Sequence, residues 1–131
     1  IAIPSANILL PVYPAKIYGT RWETTKLGIS HLSTSPEAGD RGNSVFYGHN
    51  WPNLLGRLHQ VKTGDKIFVT TQKGEVKRFT VAYIFTVNEN QTEIFANTSD
   101  HRISIYTCTA LFDTKRLVIT ALLDSQPLSY N

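Results

Sequence analysis

Alternation of apolar and polar residues, the period of a β-strand, marks several short stretches of this chain. Residues 102–107 (RISIYT) and 116–123 (RLVITALL) are two β-prone runs separated by a short polar break, which predicts a hairpin or two close neighbours. Residues 66–71 and 76–87 read as a hairpin around Gln72-Lys73-Gly74-Glu75, with Phe79, Val81, Tyr83, Phe85 and Val87 expected on one face of its second arm. Residues 43–48 form a short apolar strand ending in Gly48-His49. The first thirteen residues alternate but are interrupted by Pro4 and Pro11, with Pro14 following. Proline cannot donate to a central ladder, so one or two edge strands are expected there. Helical pattern is scarce. One short helix is expected around 21–26. A second is opened by Trp51-Pro52-Asn53, with Leu54, Leu55, Leu58 and Val61 spaced for one buried face. Residues 37–43 are dense in turn formers and predict a surface loop. Residues 88–100 predict a polar connection anchored by Ile94-Phe95. The sum is an all-β fold, a closed or nearly closed barrel of about eight strands with one or two short helices. No internal repeat or boundary divides it, so residues 1–131 are read as a single domain.

Composition narrows the function classes. A hydrophobic fraction of 41% and a charged fraction of 18% fit a globular protein. The formal net charge of +3 comes from scattered basic residues, the densest group being Lys62, Lys66, Lys73, Lys77 and Arg78 around one predicted hairpin. Without clustered bases and interleaved aromatics, a nucleic-acid role is not indicated. No apolar run approaches the roughly 20 residues of a membrane-spanning helix. A single cysteine excludes an internal disulfide.

That cysteine, Cys108, ends the first of the two β-prone runs, and Arg116 begins the second. Neighbouring strands would set the two opposite each other. A thiol beside a guanidinium that keeps its proton is a candidate nucleophile, because the thiolate is the reactive form. The alternative is a buried, inert cysteine beside a surface arginine. His49, also at the end of a predicted strand, supplies a third group. Cysteine, histidine and arginine together make a set for acyl transfer: nucleophile, proton donor for a leaving amine, and fixed cation for an oxyanion.

With these residues in view, the chain resembles the sortases, the cysteine transpeptidases that attach proteins to the Gram-positive cell envelope. The resemblance rests on Asn43-Ser44-Val45 through Gly48-His49, on Ile105-Tyr106-Thr107-Cys108-Thr109, and on Thr114-Lys115-Arg116-Leu117. It includes the segment from Leu58 through Val61-Lys62-Thr63-Gly64-Asp65-Lys66-Ile67 and runs from about residue 1 to 123. It implies His49, Cys108 and Arg116 as catalytic residues and a C-terminal sorting signal of the Leu-Pro-x-Thr-Gly kind, cleaved between Thr and Gly. The acyl group would pass to a cell-wall or pilin amine. It implies no cofactor, and a place on the outer face of the cell membrane through an N-terminal anchor expected to have been cut away. Tyr106, Ala110 and Asn50 depart from residues common in the family and leave the subclass open. A hydrolytic peptidase using the same residues and a non-catalytic barrel binding domain are the alternatives.

Tyr106, two residues before Cys108, is expected on the thiol's face and in a substrate groove. Thr107 is expected to hold the strand end or meet substrate. Leu111 and Phe112, in the connection between the two strands, are candidate groove residues. Among the other histidines, His31 reads as mainly structural, while His59 and His101 read as surface residues. No histidine pair has metal-ligand spacing, and Glu89, Glu93 and Asp100 do not make a convincing calcium set, so no metal is expected.

Overall fold

The computed structural model describes residues 1–88, 91–108 and 115–124, with position 108 through its backbone alone. Leu111 and Phe112 lie outside the described residues. Among the described residues there are eleven strands: β1 (Ala2–Ile3), β2 (Ile8–Leu9), β3 (Val12–Ala15), β4 (Ile17–Tyr18), β5 (Arg21–Trp22), β6 (Ile29–Leu32), β7 (Gly42–Tyr47), β8 (Lys66–Thr70), β9 (Val76–Asn88), β10 (His101–Cys108) and β11 (Lys115–Leu123). Nine of them form one strongly curled sheet in the order β2-β1-β8-β9-β11-β10-β7-β6-β3, and β4 pairs with β5 in a separate hairpin. The proline-bearing strand β3 sits at one edge and β2 at the other, where a missing N–H donor costs no ladder bond.

Two helix expectations change. Residues 21–26 do not form a helix, because Trp22 belongs to β5, paired with Ile17 of β4. Residues 52–57 form successive turns leading into a 3₁₀ segment, Leu58–Gln60. Leu54, Leu55, Leu58 and Val61 are all buried as the spacing indicated. A chain this tightly turned buries the same residues as a helix would, and Gly56 makes the turn possible. A Cβ there would fall 2.6 Å from the Trp51 carbonyl oxygen, which accepts the N–H groups of Leu54 and Gly56. The other 3₁₀ segments are Pro4–Ala6 and Thr92–Phe95.

The sheet buries both faces near its centre. Ile3, Ile29, Phe46, Ile67, Phe79, Val81, Ile103, Ile105, Ile119 and Ala121 fill the concave side. Ala15, Leu32, Val45, Tyr47, Val87, Tyr106 and Val118 form a second cluster on the convex side, covered by Trp22, Ile94 and Phe95. Strand alternation sends successive residues of β7 and β10 to these two clusters in turn. In β9 the alternation breaks. Thr120 pairs with Tyr83 but Ala121 pairs with Val81, leaving Ala82 as an extra, bulged residue. Phe79 and Val81 therefore point to the concave core, whereas Tyr83, Phe85 and Val87 oppose Thr120, Val118 and Arg116. The five residues expected on one face are divided between two. At the far end of the barrel, Asp124 accepts hydrogen bonds from Arg78 Nε (2.6 Å) and Lys66 Nζ (3.3 Å), tying β8, β9 and β11 together.

Candidate active site

Parallel pairing of β7 with β10 brings their C-terminal ends to the same rim of the sheet. Antiparallel pairing of β10 with β11 brings the start of β11 there too, with Cys108 and Arg116 as direct Cα partners. The opposition expected from the two β-prone runs is thus present in the register. On the other side of β10, Tyr106 pairs with Tyr47. The alignment continues one step further, since the Gly48 N–H donates to the Tyr106 carbonyl (3.4 Å) and the Thr107 hydroxyl donates to the Gly48 carbonyl (2.8 Å). His49 is the next residue after Gly48, and Cys108 the next after Thr107. Adjacent strands lie about 4.8 Å apart, which is the separation of the paired chains at positions 108 and 116.

Of the three residues that the sequence nominated, the register pairs Cys108 with Arg116, and His49 follows the end of β7, the other neighbour of β10. His59 and His101 are exposed and lie elsewhere, their Nδ1 atoms 3.0 Å from the Gly56 and Gly39 carbonyls. His31 is buried: its Nε2 lies 2.9 Å from the Pro36 carbonyl, which can only accept, so that nitrogen carries the proton. Ser44 Oγ is 3.0 Å from the same nitrogen, in keeping with a structural role. A cleft of about 640 Å³ opens at the seam between the sheet edges beside His31, and neither His49 nor Arg116 is among its described lining residues.

Thr107 fastens the strand end through its hydroxyl, which donates to the Gly48 carbonyl. It is 2% exposed. Tyr106 lies in the convex cluster but is roofed. Trp22 and Phe95 cover it with ring centroids 5.5 and 4.7 Å away, and Tyr47 stacks beside it at 5.4 Å. The β4–β5 hairpin that carries Trp22 is held down by the Tyr47 hydroxyl, which donates to the Glu23 carbonyl. Burial, and then the nearby Glu23 charge, pushes the Tyr47 phenol up to about 12, so it stays protonated and able to donate.

Two positioning contacts escaped the sequence reading. Trp51 stacks on the His49 ring almost face to face, with centroids 4.2 Å apart and planes 8° off parallel, which fixes the plane of the imidazole. The dipeptide spacing His-x-Trp is the only sequence signal for it, and spacing of two in a turn does not specify stacking. Trp22 is the other. It lies in the β4–β5 hairpin rather than in the expected helix, and its ring packs on Tyr106. At the third side, Ile94 and Phe95 carry out the anchoring that the apolar pair in a polar connection suggested.

Comparison with known proteins agrees with this arrangement. Residues 1–124 match the family model described as a sortase domain. Sortase A of Listeria monocytogenes serovar 1/2a (strain ATCC BAA-679 / EGD-e) is 30% identical over 128 residues, covering 95% of this chain and 55% of that protein. The chain thus spans about half the length of that curated relative. Among solved structures, Listeria monocytogenes sortase A superposes with a TM-score of 0.77 at 28% identity, covering 95% of this chain and 84% of the other. A lid mutant of sortase A from Corynebacterium diphtheriae gives 0.82 at 29% identity, covering 97% and 69%. With a family match over nearly its whole length, the chain belongs to the sortase domain family.

Proposed function

We propose that this chain is the catalytic domain of a cysteine transpeptidase acting on a sorting signal of the Leu-Pro-x-Thr-Gly kind. The observation that carries the reading is the register: Cys108 is the direct partner of Arg116 on one side, and on the other β10 pairs with β7 up to Tyr106–Tyr47, two residues before Cys108 and His49. Strand alternation assigns position 108 to the same face of the sheet as Tyr106.

In the first half-reaction the Cys108 thiolate attacks the Thr carbonyl carbon, and the carbonyl oxygen takes up the displaced electron pair. Arg116 holds that oxyanion through its planar fork. As the Thr–Gly bond breaks, the His49 imidazolium gives its proton to the departing glycine amine, leaving a thioester and a neutral imidazole. In the second half, an acceptor amine attacks the thioester, His49 takes the proton it loses, and the thiolate leaves. The acyl chain now carries a new amide bond. The acceptor would be an amine of cell-wall precursor or a pilin lysine, and the working place the outer face of the membrane. Among the described residues no helix is long and apolar enough to cross a membrane.

Intact mass spectrometry of the chain after mixing with a panel of sorting-signal peptides tests the reading. A mass increment equal to the peptide up to Thr, lost on hydroxylamine treatment and missing in Cys108→Ala, is expected. Adding oligoglycine, diaminopimelate or lysine peptides should convert the adduct to a ligated product. No adduct with any peptide would defeat the reading, and hydrolysed product alone under saturating amines would make the enzyme a peptidase.

A further inference from the structure

Asn43 is buried at 2% exposure on the convex face of β7, under the connection between β9 and β10. Its side chain is fully engaged. The Nδ2 group donates to the carbonyls of Ile94 (3.1 Å) and Ala96 (3.2 Å), while Oδ1 accepts from the Ser104 hydroxyl (2.7 Å). Two carbonyls on one side of the amide fix which end is nitrogen. Its backbone N–H donates to Asn97 Oδ1 (2.9 Å), so one residue binds the connection at three points. The preceding residue is shaped for the same purpose. Gly42 has φ +119°, and a Cβ there would fall 2.3 Å from Asn97 Oδ1, so a side chain would push the connection away. The segment thus held places Phe95 on Tyr106 and against Trp22, at centroid distances of 4.7 and 5.3 Å.

We propose that Asn43 is a positioning residue for peptide binding, a latch that holds residues 91–97 so that Phe95 stays seated on Tyr106, two residues before Cys108 on β10. The inference rests on the transpeptidase reading for its consequence, though not for the latch itself. Asn43 touches none of the three catalytic candidates in its hydrogen bonds, so it acts on KM through Phe95 rather than on the thiol. An apolar residue in its place leaves the Ile94 and Ala96 carbonyls without their buried donor, and they regain water only if the segment lifts.

Two measurements on the whole chain decide this. Chymotryptic cleavage after Phe95, followed by mass spectrometry without substrate, reports whether the segment is held. Asn43→Ala should accelerate it about tenfold, the worth of roughly one buried hydrogen bond, with cleavage elsewhere unchanged. Peptide kinetics report the consequence. KM should rise by about the same factor with kcat and the rate of iodoacetamide capture at Cys108 within about twofold. Phe95→Ala should raise KM likewise, and adding Asn43→Ala to it should change KM no further. If Asn43→Ala proves poorly folded, Asn97→Ala loosens the same segment from an exposed position and should show a smaller effect of the same kind. Unchanged cleavage after Phe95 would overturn the latch. Faster cleavage with unchanged KM, or an additive KM effect in the double variant, would overturn its role in peptide binding. Failure of the wild-type chain to form a thioester with any peptide would overturn that role together with the transpeptidase reading, while the proteolysis would still decide the latch.

Discussion

Replacing Trp22 by alanine removes the indole that pins the β4–β5 hairpin to the sheet. Trp22 meets Tyr47 at 5.1 Å, Phe95 at 5.3 Å and Tyr106 at 5.5 Å, the first and last of these edge-on. Such pairs contribute about 0.5–1.5 kcal/mol each beyond the area they bury. A fully buried Trp→Ala change costs about 3–5 kcal/mol, and Trp22 is only half-buried, so we expect a loss of about 2–3 kcal/mol. For a chain of this length the unfolding entropy is about 0.28 kcal/mol/K, which converts the loss to a fall in Tm of roughly 7–11 °C. Scanning calorimetry would read that shift, and near-UV circular dichroism should lose intensity as Tyr47 and Tyr106 become less fixed. Trp22→Phe keeps a ring in place and should fall by less than half as much. Leu9→Ala, at a side chain 81% exposed, is the control and should change little. A Trp22→Ala variant melting within about 2 °C of wild type would refute the reasoning, since a docked hairpin cannot lose three ring contacts at no cost.

Three further outcomes follow from the site. Arg116→Lys keeps the charge but not the planar fork, so kcat/KM should fall about a hundred- to thousandfold. The rate of Cys108 alkylation should change far less, and an equal fall in both would make Arg116 an activator of the thiol. Trp51→Ala frees the His49 ring plane and should lower kcat about tenfold, with Trp51→Phe restoring most of it; equal kcat in all three proteins would remove the stack from catalysis. Tyr47→Phe loses the hydroxyl's bond to Glu23 and should cost about 1 kcal/mol at neutral pH. The Tyr47 phenol is pushed up to about 12 in the folded chain, chiefly by burial. A raised pKa favours the neutral form, so the benefit is complete below about pH 10, the unfolded value, and is lost as pH rises through 12. Urea melts of wild type and Tyr47→Phe should therefore converge between those values, and a constant gap would contradict the assignment.

Period and punctuation alone made much of this protein legible. The 66–71 and 76–87 hairpin was readable, and it corresponds to β8 and β9. The edge placement of the proline-bearing strand was readable because proline lacks a donor. The meeting of Cys108 and Arg116 was readable because sequence-adjacent strands pair in antiparallel fashion, and the register follows from their short connection. What the sequence left undecided was non-local. Which face each half of β9 presents depends on the Ala82 bulge, and a bulge adds one residue without changing the apolar pattern. Residues 21–26 contain helix formers, yet Trp22 gains more from three aromatic neighbours distant in sequence than a lone turn of helix offers, so tertiary packing overrode propensity. Asn43 looked like a turn residue before a strand. Its partners Ile94, Ala96 and Ser104 lie about fifty to sixty residues away, and only the parallel pairing of β7 with β10 brings them over it. Alternation specifies that a side chain faces one side of a sheet; which strand and which segment it meets there is fixed by pairing between distant parts of the chain.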